Sequence, residues 1–219
     1  PGLDLDAYRR SYAADDAAPG WDAIDEHLAA LYGAQEPLHL GTGHPYALGG
    51  PDPLDGISIY RSGRSAPHLH FVTYGMSELY YSEKALGRDF SRFGFEFSFR
   101  LAPTDGPEAE PSWVAALLQN IARYVYQSKR WFEPYHFIPA NVPIRLGTDT
   151  AVTALATVMD PELGAIDTVH GRVEFIQFLG ITQAEYDTLR AGTLSCRDFI
   201  EAERKANPMF ITRLARGVR

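Results

Sequence analysis

Cysteine occurs once in the 219 residues, as Cys196, so no internal disulfide can form and nothing in the chain asks for an oxidising compartment. No apolar run reaches the ~18 residues needed to cross a bilayer, and no signal-peptide pattern is present, so the expected location is the cytoplasm, with no membrane partner. Basic residues are in deficit. The 20 Lys and Arg against 28 Asp and Glu give a formal net charge of −8, which argues against a nucleic-acid-binding surface, since phosphate contacts require a cationic surplus. Walker loops, zincin helices and nucleophile elbows are missing, as are internal repeats and low-complexity tracts. Gly41-Thr42-Gly43-His44-Pro45-Tyr46 starts like a dinucleotide loop, but Tyr46 stands where a third glycine is needed and Pro45 opposes the following helix, so it reads as a turn.

What is present is a strand of unusual clarity. Phe93, Phe95, Phe97, Phe99 and Leu101 fall on one side of an extended segment, and Gly94, Glu96, Ser98 and Arg100 on the other. Burying each Phe is worth roughly 1.5–3 kcal/mol, which commits this strand to the middle of a sheet with apolar cover on the Phe side. The Glu96 and Arg100 side is expected to be either wet or a paired polar surface.

Around it the other elements fall into place. Residues 1–18 read as a loose lead-in or a short helix, and 19–219 as one domain. Trp21, Ile24, Leu28 and Leu31 predict a helix closed by Gly33, and 38–50 reads as a Gly- and Pro-rich loop. Strands are predicted at 57–61, 68–74, 152–159 and, centrally, 172–181, with a weaker one near 135–138. After a loop at 103–111, Ser112 caps a helix whose stripe of Val114, Leu117, Leu118, Ile121, Tyr124 and Val125 belongs on the Phe face. Thr182 and Glu185 form a capping box, Ser195 starts a further helix with Leu194 and Phe199 as a staple, and 209–214 can return as a last strand. The fold class is α+β, with a mixed, largely antiparallel central sheet and helices packed on it.

Three groups of residues carry chemistry worth weighing. His68 and His70 project from one face of a strand and could share a cation, and with Glu96 and nearby acids they define a hydrolytic or metal-dependent alternative. No further ligand at recognisable spacing completes a metal set, so paired, partly buried histidines are the expectation, with no cofactor and no catalytic residue assigned. Cys196 lies in the first turn of a helix, where a thiolate is favoured, but no His accompanies it in sequence. Asp52, Asp55, Glu78, Glu83, Asp89 and Glu96 form a loose acidic rim with Tyr74, Tyr80, Tyr81 and Phe90 among them. Aromatics mixed with charge supply contact area and hydrogen bonds together, the usual makings of a protein-binding patch.

The run Gly-Gly-Pro-Asp-Pro-Leu-Asp at 49–55, the run Phe-Gly-Phe-Glu at 93–96, the His-Leu-His strand with its continuation to Tyr80, and the segments 21–32, 122–128 and 171–180 together resemble the Suppressor of fused family. The resemblance extends over about residues 20–216. It implies a non-enzymatic α+β interaction domain like the N-terminal domain of the animal proteins, which grip a peptide that adds as a strand in a cleft between two domains. For a stand-alone bacterial member, the same resemblance implies the role proposed for such proteins, immunity against polymorphic toxins. A chain of this length leaves no room for the second domain, so strand addition would use one side only. The family's peptide-contact region corresponds to the loop after the His-x-His strand, which makes Tyr80 and Asp89 the transferred contact residues. Tyr74, Glu78 and Phe90 join them on their own chemistry. Residues 81–88 depart from the family pattern, which implies a different ligand. The expected partner is a protein, either a toxin or a peptide segment of a regulatory protein. A peptide-binding scaffold using an exposed sheet edge is the third reading.

Overall fold

The computed structural model describes residues 4–103 and 112–217. Its order is α1 (Leu5–Ser11), α2 (Pro19–Tyr32), β1 (Leu38–Gly41), β2 (Gly56–Ser62), β3 (His68–Tyr74), β4 (Phe90–Leu101), α3 (Ser112–Ser128), β5 (Phe137–Pro139), β6 (Val152–Met159), β7 (Ala165–Thr168), β8 (Gly171–Thr182), α4 (Gln183–Arg190) and α5 (Cys196–Ala206). One sheet runs β1-β2-β3-β4-β8-β6-β5, with β7 also on β8. Every pairing is antiparallel except β4 with β8, the two twelve-residue strands at its centre. The sheet is mixed and largely antiparallel, as the alternation required.

Its two faces are built differently. On the Phe face, Phe95, Phe97 and Phe99 pack with Ile57, Ile59, Phe71, Ile176 and Phe178 beneath Val114, Leu118, Ile121 and Val125 of α3. On the opposite face, Ile24 and Leu28 of α2 cover Tyr60, Val72, Tyr74 and Phe175, while Leu189 of α4 and Ile200 of α5 cover Ala154, Ala156, Leu179 and Ile181. Glu96, Ser98, Arg100, His70 and Gln177 are also fully buried. The decorated face is therefore an internal, paired polar layer and not a wet one.

Caps formed where the sequence placed them. Gly33 ends α2 at φ +62°, Thr182 and Glu185 complete the capping box of α4, and the Ser195 side chain accepts from the Asp198 N–H to start α5. Three expectations need correction, and one strand was not expected. The Gly- and Pro-rich stretch contains a true strand, β1, because its backbone pairs with β2 from Leu38 to Gly41. Residues 165–168 form β7, and the predicted strand at 209–214 is a single bridge between Leu101 and Thr212, whose hydroxyl is occupied with the Gly180 N–H. Of the two readings of the lead-in, the short helix is the one present: α1, docked on the body of the protein. Glu96 is buried and so is not part of an acidic rim. Of the predicted loop 103–111, residues 104–111 lie outside the described residues.

Candidate functional site: an aromatic surface on a pinned loop

The loop between β3 and β4 carries most of the predicted contact residues, and the chain fixes it from several sides. At its start, the Glu96 carboxylate accepts from the backbone N–H groups of Gly75 (3.0 Å), Met76 (3.1 Å) and Ser77 (2.9 Å) and from the hydroxyls of Ser77 (2.6 Å) and Thr73 (2.7 Å). Burial pushes the Glu96 carboxyl up, against these donors, which favour the ionised form. Gly75 has φ +141°, and a Cβ there would stand 2.4 Å from the Pro53 carbonyl oxygen, so the Gly-Gly-Pro-Asp-Pro-Leu-Asp run and the turn are shaped to each other. From the side, the Gly20 and Trp21 N–H groups at the start of α2 both donate to the Leu79 carbonyl, in place of a side-chain cap. A Cβ at Gly20 would meet the Glu78 oxygen at 2.0 Å. Only glycine allows that approach.

On this base, Tyr80 is 44 % exposed and Phe90 56 % exposed. The Tyr80 hydroxyl is pushed up to about 12, first by burial and then by its hydrogen bond to Asp55, so it remains a donor. Arg92, in the left-handed region at φ 53°, bridges Glu78 at 3.0 Å and the Tyr126 hydroxyl at 2.7 Å. Phe90 lies over Gly94, at φ +83°, where the β4–β8 ladder is irregular between Phe90 and Phe95. Asp89 is exposed while its carbonyl accepts from the Arg172 N–H. Of the predicted contact residues, Glu78, Tyr80 and Asp89 lie on this loop, and Phe90 is the first residue of β4 at its end. Tyr74 does not reach the surface. It is wholly buried, stacked on Trp21 with ring centroids 4.3 Å apart, and donates to Asp25 at 2.7 Å.

The histidines of the alternative reading sit in a closed network. Asp160 Oδ1 accepts from Arg100 (3.0 Å) and from the Glu162 and Leu163 N–H groups, and Oδ2 accepts from Ser98 (2.7 Å) and His70 Nε2 (2.9 Å). Arg100 also donates to Gln177 and to His68 Nε2 (2.9 Å) and pairs with Glu162 at 2.7 Å, which Arg64 reaches from the surface at 2.9 Å. His68 donates through Nδ1 to the Ala66 carbonyl. Tyr32, whose hydroxyl is pushed up by burial, donates to His70 Nδ1 at 2.5 Å. These partners assign both imidazoles as neutral, and two arginines then balance two carboxylates. Burial would raise Asp160, but His70, Arg100 and the backbone donors hold it well below the usual carboxylate range. Glu96 is in its own nest and does not join this set. Among the described residues no three His, Cys, Asp or Glu side chains are placed to hold a metal ion. Cys196 is buried near the His136 carbonyl, and burial pushes its thiol up to about 11, which removes the thiolate its helix position suggested.

A pH dependence follows from this network. Burial holds His68 and His70 below the ordinary imidazole value, so the unfolded chain takes up protons near pH 6.5 that the folded chain refuses. Stability is complete above that pH and declines as pH falls, by about 1.4 kcal/mol per unit of depression for each ring. Glu96, raised by burial, works in the opposite sense and offsets part of the loss. Thermal melts at pH 7.5, 6.0 and 5.0 should show a falling Tm, less steep in a His68→Gln variant.

Away from this loop, an open cleft of about 990 Å³ lies between α3 and residues 138–146, lined by Trp113, Leu117, Ile121, Ile138, Val142 and Leu146 among others. No predicted contact residue lines it. At the two ends of the sheet, β1 has four residues and β5 three, with Pro139 supplying no N–H.

The arrangement defines an α+β domain with a buried layer of paired polar and charged groups around Arg100 and Asp160 and with aromatics displayed beside a pinned loop. By sequence the chain belongs to the Suppressor of fused family: residues 50–217 match the family model described as Suppressor of fused protein. It is 35 % identical over 176 residues to the Suppressor of fused homologs of Homo sapiens and Mus musculus, covering 76 % of this chain and 36 % of theirs. The chain thus spans about a third of the length of these relatives. Among solved structures, a chain of the Sufu-Fu complex matches with TM-score 0.84 at 31 % identity over 92 % of both chains, and Drosophila Suppressor of Fused with 0.82 at 31 % over 92 % of this chain and 51 % of that one. A Suppressor of fused homolog from Neisseria gonorrhoeae shares the fold at 14 % identity and TM-score 0.61, over 88 % of this chain and 92 % of that one. No helix among the described residues is long and apolar enough to cross a membrane.

Proposed function

We propose that this chain is a non-enzymatic protein-binding domain that sequesters or inhibits a protein partner, a bacterial toxin being the partner class that fits best, and that it does so through Tyr80, Asp89, Phe90 and the Glu78–Arg92 pair. The observation that carries this reading is the exposure of Tyr80 and Phe90 on a backbone held from beneath by Glu96, Gly75 and Gly20. Rigid aromatic anchors lose little entropy on binding, which is what a contact surface needs. A relative described in a Sufu-Fu complex is compatible with such a role. The net charge of −8 favours a cationic partner met at a fast, salt-sensitive rate. The enzymatic alternative would need His68 and His70 free to act, and both are engaged in a sealed network.

The test is co-expression and co-purification with the product of the neighbouring gene. Tyr80→Ser with Phe90→Ser should weaken the complex by at least about 100-fold, the loss of two anchors, with an unchanged melting temperature. A neighbour that neither binds nor becomes harmless, or full binding by the double variant, counts against the reading. A stoichiometric metal in protein purified without tag or chelator would favour the enzymatic one.

A further inference from the structure

The segment α1 lies before residue 50, outside the stretch that matches the family model, yet it contacts the candidate contact loop at residues 81–83. Seven residues are too few for a helix to be stable alone, even with Asp4 as N-cap and Arg9 and Arg10 in the last turn. Its existence depends on docking. Tyr8 is the only buried residue of α1, and its hydroxyl both accepts from the Ser82 N–H (2.9 Å) and meets His170 Nε2 (2.8 Å). His170 is itself buried at the β7–β8 turn and holds the Glu78 carbonyl through Nδ1 at 3.0 Å. The Tyr8 ring stacks on Tyr81 with centroids 4.8 Å apart and planes 14° from parallel. Arg9 grips Glu83 with two hydrogen bonds, 2.8 and 3.0 Å, the Tyr81 hydroxyl donates to the same carboxylate, and the Tyr81 N–H donates to the Ala17 carbonyl. Residues 78–83 are thus held between the sheet on one side and the N-terminal segment on the other.

We propose that α1 is a strap that sets the conformation of residues 80–86 and thereby the affinity of the partner surface, so that displacing α1 switches binding down without unfolding the domain. The effect on binding rests on the reading of that surface given above; the strap itself does not. Coupling of this kind is reciprocal: a partner that selects the ordered loop also holds α1 in place. The specificity of the surface then includes Tyr8 and Arg9, from the far end of the sequence, together with Tyr81 and Glu83 of the loop itself.

Hydrogen–deuterium exchange on the whole chain tests this. In Tyr8→Ala, amides of residues 80–86 should exchange at least about tenfold faster while those of β4 and β8 keep their wild-type rates. Unchanged exchange at 80–86 overturns the proposal. Should Tyr8→Ala loosen the whole sheet, charge reversal decides: Arg9→Glu should speed exchange of 80–86 severalfold and Arg9→Glu with Glu83→Arg should restore it, whereas equal rates in single and double variants would refute the strap. With the neighbouring-gene product as probe, Tyr8→Phe, which keeps the stack and loses the hydroxyl, should lower affinity about tenfold. Absence of any partner would defeat the functional reading and leave the exchange result standing, and a partner bound equally by wild type and Tyr8→Phe would defeat the coupling alone.

Discussion

Replacing Arg100 by Met is expected to remove about 3–5 kcal/mol of stability, a large share of what a domain of this size has. Arg100 is wholly buried, and among the described residues its guanidinium is the only fully buried cation in the layer that also holds Asp160 and Glu162. Methionine fills similar space and supplies no donor. Asp160 would keep its backbone, Ser98 and His70 partners, but Glu162 would retain only the surface Arg64, and Gln177 and His68 would each lose a donor. The cost is therefore that of a stranded charge, much more than of one lost contact. Arg100→Lys should recover less than half of it, because a point-like ammonium cannot reach Asp160, Glu162, His68 and Gln177 together. Guanidinium titrations check the sizes. A double-mutant cycle with Glu162→Gln checks the cause: neutralising the stranded carboxylate should return part of the loss, giving a strongly non-additive pair. If Arg100→Met with Glu162→Gln is as unstable as the sum of the two single variants, the charge argument fails.

Arg100 also marks the boundary between what could and could not be read along the chain. Alternation put it on the face opposite the phenylalanines, with Glu96 two steps away, and that placement holds because a strand's period is fixed by its backbone. Pairing is another matter. Glu96 turns to the 75–77 backbone and Arg100 to Asp160 and Glu162, which lie in a turn after β6 with no pattern to announce them. The periodic segments and the caps were legible for the same reason: β4, β8, α2, α3 and the Thr182 box are specified by residues close in sequence. β1 and β7 were not, being four-residue strands held by their neighbours' free edges, and neither was the bridge at Thr212. For the candidate surface, Tyr80, Phe90 and Asp89 showed as aromatics and charge in a loop. Tyr74 was drawn into the same group by proximity in sequence, although the inward position of residues 70, 72 and 74 on β3 buries it. Tyr8 and His170 could be found only in three dimensions, since 162 residues separate them.

Glu96→Gln is expected to cost about 2–3 kcal/mol and, unlike most substitutions of that size, to act on one loop first. The carboxylate accepts from Gly75, Met76, Ser77 and Thr73, a set of donors with no acceptor among the backbone groups. An amide offers one oxygen in place of two. Its N–H₂ must then face either the backbone N–H groups of the turn or the Thr73 hydroxyl, which is already accepting from the Phe97 N–H at 2.8 Å. The Thr73 hydroxyl can turn, but the backbone donors cannot, so the least costly arrangement keeps oxygen at the turn and reverses the link to Thr73, whose second lone pair accepts from the amide while its own proton loses the carboxylate. The start of the β3–β4 loop would stay partly tied while the cross-link between β3 and β4 weakens. Glu96→Ala has no such compromise: all the donors go unanswered in a buried site, and about 3–5 kcal/mol should be lost. The two variants therefore predict different behaviour at the surface. With Gln, the partner should still bind, more weakly, and amide exchange should rise at 75–80 before it rises in β8. With Ala, binding and fold should be lost together. Exchange that rises uniformly in Glu96→Gln would mean that the carboxylate supports the sheet as a whole and that the loop owes its shape to Gly20 and Gly75 alone.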